Sequence, residues 1–176
     1  MSMTEARSPS PLGEALVGEL KWVHNMIRRD LATVRRMAAD VTAGLPAADL
    51  RAELASLATN GPLWQLKINC LQYCRFVHSH HHAESLLLFP GVRRASPSLN
   101  SVVDKLEADH AMVSDLLDEV AAAARALNRQ DDTPTRQRLA GALQRLAVDL
   151  LAHLQYEEEQ ISPTLRTWTR WPHMGS

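Results

Sequence analysis

Apolar residues recur along this chain at three- and four-residue intervals, the rhythm of a helix that buries one face. Positions 16, 20, 23, 27, 31 and 34 mark a first helix from about Leu12 to Ala43, which Gly44-Leu45-Pro46 ends. Residues 47–59 carry a shorter amphipathic stretch, read as a helical turn or two in a crossover. Asn60-Gly61-Pro62 opens a second helix, with proline suited to its first turn, and Phe89-Pro90-Gly91 closes it. A third helix follows Ser96-Pro97-Ser98, with Leu106, His110, Val113, Leu117 and Val120 as its stripe. Asp131-Asp132-Thr133-Pro134 signals the fourth, which sets Leu139, Leu143, Leu146, Leu150, His153 and Glu157 on one face. No stretch keeps the two-residue alternation of a strand over a useful length. The predicted fold class is all-α: an antiparallel bundle of four main helices, with a short extra helical segment between the first two.

Polar residues interrupt these apolar stripes at matching places. His80 and Glu84 lie four residues apart, one above the other on a helix and about 6 Å apart along its axis. Tyr73, Val77, Leu87 and Leu88 fall near the same stripe. His153 and Glu157 repeat the pair, and Pro163 follows Glu157 as Pro90 follows Glu84, each landmark offset by the same 73 residues. Each His-x-x-x-Glu helix is preceded by a helix with a single histidine in its stripe, His24 and His110, and each of those begins a His-x-Met pattern through Met26 and Met112. One histidine on an apolar face is usually a hydrogen-bonded core residue. Four of them with two carboxylates, and no Lys or Arg in the same stripes, would bury anions without counterions. Two helical hairpins folded together turn all six inward, and a metal ion compensates the cost. Imidazole and carboxylate without thiolate suit iron, manganese or zinc. Six such ligands exceed what one ion needs, which favours a dinuclear centre.

Composition removes other classes. A chain of 176 residues fits one domain with a sizeable core, and its formal net charge of −1 creates no field for nucleic acid or an anionic membrane surface. The apolar runs are far too short to span a bilayer. Residues 1–11 read as a polar, disordered tail without the apolar core of a signal peptide, which points to a cytoplasmic protein. Residues 169–176 read as a C-terminal tail whose Pro172-His173-Met174-Gly175-Ser176 resembles a vector-derived remnant, so His173 receives no role. Cys70 and Cys74 read as small buried side chains in a reducing compartment, because a zinc site would need further thiols. Trp22 and Trp64 read as core, Arg28, Arg29, Arg35 and Arg36 as a solvated face, and His78 and His82 as surface residues.

In this order the motifs resemble the haemerythrins in their bacterial HHE cation-binding form. That pattern is His; His-x-x-x-Glu with Leu-Phe-Pro; His; and His-x-x-x-Glu. Here it reads His24; His80 to Glu84 with Leu88-Phe89-Pro90; His110; and His153 to Glu157 with Pro163. The likeness covers about residues 12–168. It implies an up-down-up-down four-helix bundle around two iron ions with an oxo or hydroxo bridge, manganese or zinc being the alternatives. His24 and His80 would bind one ion, His110 and His153 the other, with Glu84 and Glu157 bridging. The chain departs from oxygen-carrying haemerythrins, which have a second histidine on the third helix, one turn from the first; here the flanking positions are Leu106 and Ser114. Either one ion is more open, or His81 fills the gap, as the residue after the helix-two histidine does in some members. Glu158 is the alternative to Glu157, because animal haemerythrins use a carboxylate five residues on; the phase of the repeat favours Glu157. Tyr73, one heptad before His80, is read as core, with a supporting or ligating role beside the metal as the second reading.

Three functions follow as expectations. The first is a di-iron oxidoreductase centre (oxygenase-, peroxidase- or catalase-like, or reacting with nitric oxide) that activates O2, peroxide or nitric oxide and needs an electron donor. The second is a module that carries, stores or senses O2 or iron without turnover. The third is a structural zinc or metal-free bundle used for protein interactions. Oligomeric state is open, with Trp168 and Trp171 as residues that could pack on a neighbour.

Overall fold

A computed structural model describes residues 8–44, 62–127, 129 and 132–172. Among them there is no strand. Helix α1 spans Pro11–Gly44 and α2 spans Pro62–Ala83. A π-helical turn, Glu84–Leu88, joins α2 to the short α3, Phe89–Ala95. A 3-10 turn at Pro97–Leu99 leads into α4, Asn100–Ala126, and α5 spans Thr133–Leu165. The predicted start signal of the last helix is physically in place: the Asp132 carboxylate caps it, accepting the Thr135 backbone N–H at 2.9 Å. The predicted segment 47–59 lies outside the described residues. No described helix is long and apolar enough to cross a membrane.

The four long helices form a ring in which α1 touches α2 and α5, and α4 touches α2 and α5. Cross-helix bonds give their relative sense. Ser10 N–H donates to the Arg166 carbonyl at one end of the α1–α5 pair, and the buried Arg136 donates to the Val41 carbonyl at the other. Gly13 sits so close to the end of α5 that a Cβ there would overlap the Arg166 carbonyl. Ser10, within the predicted N-terminal tail, is therefore tied to the bundle. The C-terminal segment is held as well: Trp168 is buried, Trp171 stacks edge-on against it at 5.4 Å, and both pack within this chain.

Burial divides the interior into three layers. One apolar cluster includes Ile27, Leu31, Val77, Val113, Leu117, Leu146 and Leu150. A second gathers Val17, Leu20, Phe89, Leu106, Ile161 and Trp168. Each fully buried side chain of this size contributes roughly 1.5–3 kcal/mol. Between the two clusters lie His24, His81, Glu84, His110, His153 and Glu157, all buried. The polar positions thus occupy one level across four helices, held between two hydrophobic slabs.

Two sequence expectations change here. Pro90 does not end the second helix, because the π turn before it re-phases the backbone. The Phe89 N–H reaches the Glu84 carbonyl five residues back, and Pro90, which has no N–H to place, enters as the first turn of α3. The same shift turns Leu87 outward, 62% exposed, instead of onto the stripe of Tyr73 and Val77. Trp22, read as core, is 63% exposed, because it sits two positions from both Leu20 and His24 and points away from their common face. The side chain of Trp64 lies outside the described residues.

Candidate metal centre

Helical spacing sets the first contacts. In α2, His80 Nε2 stands 2.8 Å from Glu84 Oε1; in α5, His153 Nε2 stands 3.5 Å from Glu157 Oε2. The bundle brings the other helices to the same level. His24 Nε2 from α1 lies 3.5 Å from Glu84 and 3.6 Å from Glu157, and His110 Nε2 from α4 lies 3.2 Å from Glu84 Oε2. His81 joins them, its ring stacked on His110 with centroids 4.0 Å apart. Glu84 is the first residue of the π turn, a local irregularity common at functional sites.

Two groups of donor atoms result, each with its members within 4.8 Å of one another. One is His24, His80 and Glu84; the other is His81, Glu84, His110 and His153. Glu84 belongs to both. Seven buried atoms here, Nε2 of His24, His80 and His81 and both oxygens of Glu84 and Glu157, have no aligned hydrogen bond. Several lie at ion-pair distance, but proximity without alignment leaves a buried polar group uncompensated at about 1–3 kcal/mol each. His110 Nε2 and His153 Nε2 share one hydrogen bond at 3.1 Å. Imidazoles and carboxylates that otherwise converge without aligned bonds fit a cation, and the donor set suits iron, manganese or zinc.

Electrostatics support that fit. Burial, then the charge of His110, pushes His81 down to about 2; burial and His110 push His153 down to about 4. Both rings are therefore neutral at neutral pH, the form that binds metal. Burial opposes the charge on Glu84, yet the imidazoles of His110, His24 and His80 close around it hold its carboxyl well below the ordinary range. Glu157 goes the opposite way, raised by burial and by the facing Glu84. Two carboxylates this close share their charge poorly unless a cation lies between them.

Two ligand-type rings are hydrogen-bonded from behind, and a third faces a carboxylate there. Glu158 Oε1 meets His24 Nδ1 at 2.9 Å and accepts a bond from Arg28 at 2.8 Å. Ser85 Oγ meets His110 Nδ1 at 2.9 Å, and Asp109, itself bound by Lys105 at 2.6 Å, stands 3.5 Å from His153 Nδ1. Such partners fix the ring so that Nε2 faces the centre. The structure therefore brings together His24, His80, His81, Glu84, His110, His153 and Glu157, and sets Glu158 behind His24. Arg28, read as part of a solvated face, is half-buried on Glu158. His78 and His82 stay at the surface. Sequence reading missed Ser85 and Asp109, which carry no periodic signal of their own and merely neighbour Glu84 and His110.

Tyr73 stands apart. Its hydroxyl donates to the Ile27 carbonyl at 3.3 Å within the apolar cluster. Tyr73→Phe is expected to lower stability by only about 0.5–1.5 kcal/mol and to leave metal content unchanged; a loss of metal on elemental analysis would return this residue to the centre. Cys70 and Cys74 are free and buried, with thiols pushed up to about 12, mainly by burial, and so are inert.

A groove of about 220 Å³ reaches His80 and Glu84 from outside, walled by Leu20, Val23, Leu87 and Trp171. Comparison with curated proteins gives no match. A family model for the hemerythrin HHE cation-binding domain matches residues 15–165, which include every residue of the cluster. The polar layer is thus the candidate site for the cation, and the chain belongs to the haemerythrin HHE cation-binding family.

Proposed function

We propose that this up-down-up-down bundle holds two iron ions and uses them to bind or activate a small oxygen or nitrogen species such as O2, peroxide or nitric oxide. The observation that carries this reading is that two donor groups share one carboxylate, Glu84. In it, His24 and His80 hold one ion, His81, His110 and His153 hold the other, and Glu84 and Glu157 span the pair. His81 thereby takes the place of the histidine that the third helix lacks. Iron, when bound, supplies the redox electrons; no nucleophile or acid–base pair is needed from the chain. The protein's part is to hold neutral imidazoles in register through Glu158, Ser85 and Asp109, and to exclude bulk water between the two apolar layers. The unequal histidine sets leave the His24–His80 side with fewer protein ligands. That is also the side to which the mostly apolar groove leads, a route suited to small neutral molecules.

The test is elemental analysis and the ultraviolet-visible spectrum of the purified protein, followed by mixing of the reduced form with O2. About two irons per chain are expected, with a spectrum that changes on mixing. A reversible change assigns binding, carriage or sensing, and irreversible oxidation with turnover assigns activation. Zinc alone, or no metal, would sink the di-iron reading.

A further inference from the structure

A second groove opens on the other side of the centre, between α2 and α4. It encloses about 240 Å³, with His78 and His82 at its mouth and His81, Ser85 and His110 along its inner wall. His78 and His82 are four residues apart on α2 and share one outward face. This is the spacing at which two imidazoles of one helix chelate a single transition-metal ion. Asp118 on α4, outside the groove lining, lies beside His78 alone, its Oδ1 3.2 Å from His78 Nε2. At the inner end, the buried His81 Nε2 has no hydrogen-bond partner.

We infer that this groove is a loading site, in which His78 and His82 capture a divalent first-row metal ion and pass it inward to His81 and His110. The inference rests on the reading of the centre given above. A hydrated cation cannot cross an apolar wall without losing water ligands that nothing replaces. The Leu20–Val23–Leu87 groove presents such a wall over most of its lining, with Glu19 as its one carboxylate outside the centre and no imidazole before His80. The histidine groove instead offers a replacement donor at each stage, so water is exchanged for imidazole stepwise. Soft imidazole also favours iron, cobalt, nickel or zinc over the more abundant magnesium and calcium. The two openings therefore divide the traffic: metal through the histidine side, small neutral ligand through the apolar side.

The test uses metal-free full-length protein and Co(II), whose ligand-field absorption reports its coordination. Mixing in a stopped-flow instrument gives the rate at which buried sites fill. The double variant His78→Ala, His82→Ala should fill several-fold more slowly, reaching the same final content and spectrum as the unaltered chain. With excess Co(II), the unaltered chain should take up one additional, weaker ion that the variant does not. Equal filling rates would overturn the loading site. So would a lower final content of buried ions in the variant, which would make these histidines part of the centre itself. An unaltered chain that takes no Co(II) into buried positions would overturn the centre, and the loading site with it.

Discussion

Glu84→Ala is expected to strip the protein of both metal ions, whereas His24→Ala and His81→Ala should each strip one. The asymmetry follows from membership: Glu84 stands in both donor groups, while His24 and His81 each stand in one. Losing a residue that merely orients a ligand typically weakens binding about 10–100-fold, so losing a shared ligand should cost more than that at both positions. Stability should follow occupancy. Metal present at about 1,000 times its dissociation constant adds roughly 4 kcal/mol to the folded state. For a domain of this size that is a rise of about 10 °C in Tm. The unaltered protein should gain this on metal addition, and Glu84→Ala should gain none of it. Elemental analysis and thermal melts with and without chelator decide the matter. A Glu84→Ala protein that keeps one ion would show that the carboxylate serves a single position.

The members of the centre were legible because they share the phase of the core. His24 continues the stripe of Leu20 and Ile27, His110 that of Leu106 and Val113, and His153 that of Leu146 and Leu150, and all are buried. A periodic pattern specifies which face turns inward, and bundle packing then brings the inward faces to a common level. The equal spacing of His80, Glu84 and Pro90 with His153, Glu157 and Pro163 marked that level before any coordinates did. His81 was harder to read. It is one residue from His80, and successive helix positions point about a third of a turn apart. Both reach the interior because His80 and His81 straddle the inward direction, serving one donor group each.

Illegible features share one cause: they depend on neighbours distant in sequence or on a break in the period. The π turn at Glu84–Leu88 shifts the phase after Glu84, so a reading that continued α2 at the regular period placed Leu87 inside and stopped the helix at Pro90. Arg28 looked like one of four surface arginines until α5 placed Glu158 against it. Ser85 and Asp109 orient rings from outside the stripe, where no hydrophobic pattern marks a position as special.

The metal-free protein is expected to lose stability as the pH falls below 6.5, against an opposing effect of one buried carboxyl. On the acid side the cause is His81 and His153, whose folded values of about 2 and about 4 lie below the ordinary 6.5. Below pH 6.5 the unfolded chain therefore binds up to two more protons at these residues than the folded chain, and stability falls with pH. Glu157 opposes them. Its carboxyl is raised well above the ordinary 4.5, so above that pH the folded chain keeps a proton that the unfolded chain has lost. Each proton of difference is worth a slope of about 1.4 kcal/mol per pH unit, so two histidines outweigh one carboxyl. Below pH 4.5 Glu157 no longer offsets the loss, and Glu84, held low by its histidines, adds to it, so the fall steepens. As the pH rises from 4.5 towards the raised value of Glu157, its retained proton lowers stability. Two changes should remove this opposing effect: Glu157→Gln, which has no proton to lose, and bound metal, which keeps both carboxylates charged. Urea midpoints from pH 5 to 8 for the unaltered chain and Glu157→Gln, with and without chelator, supply the check. Identical pH profiles for the two metal-free proteins would mean that Glu157 is ionised in the fold, and that its charge is compensated by groups other than a metal.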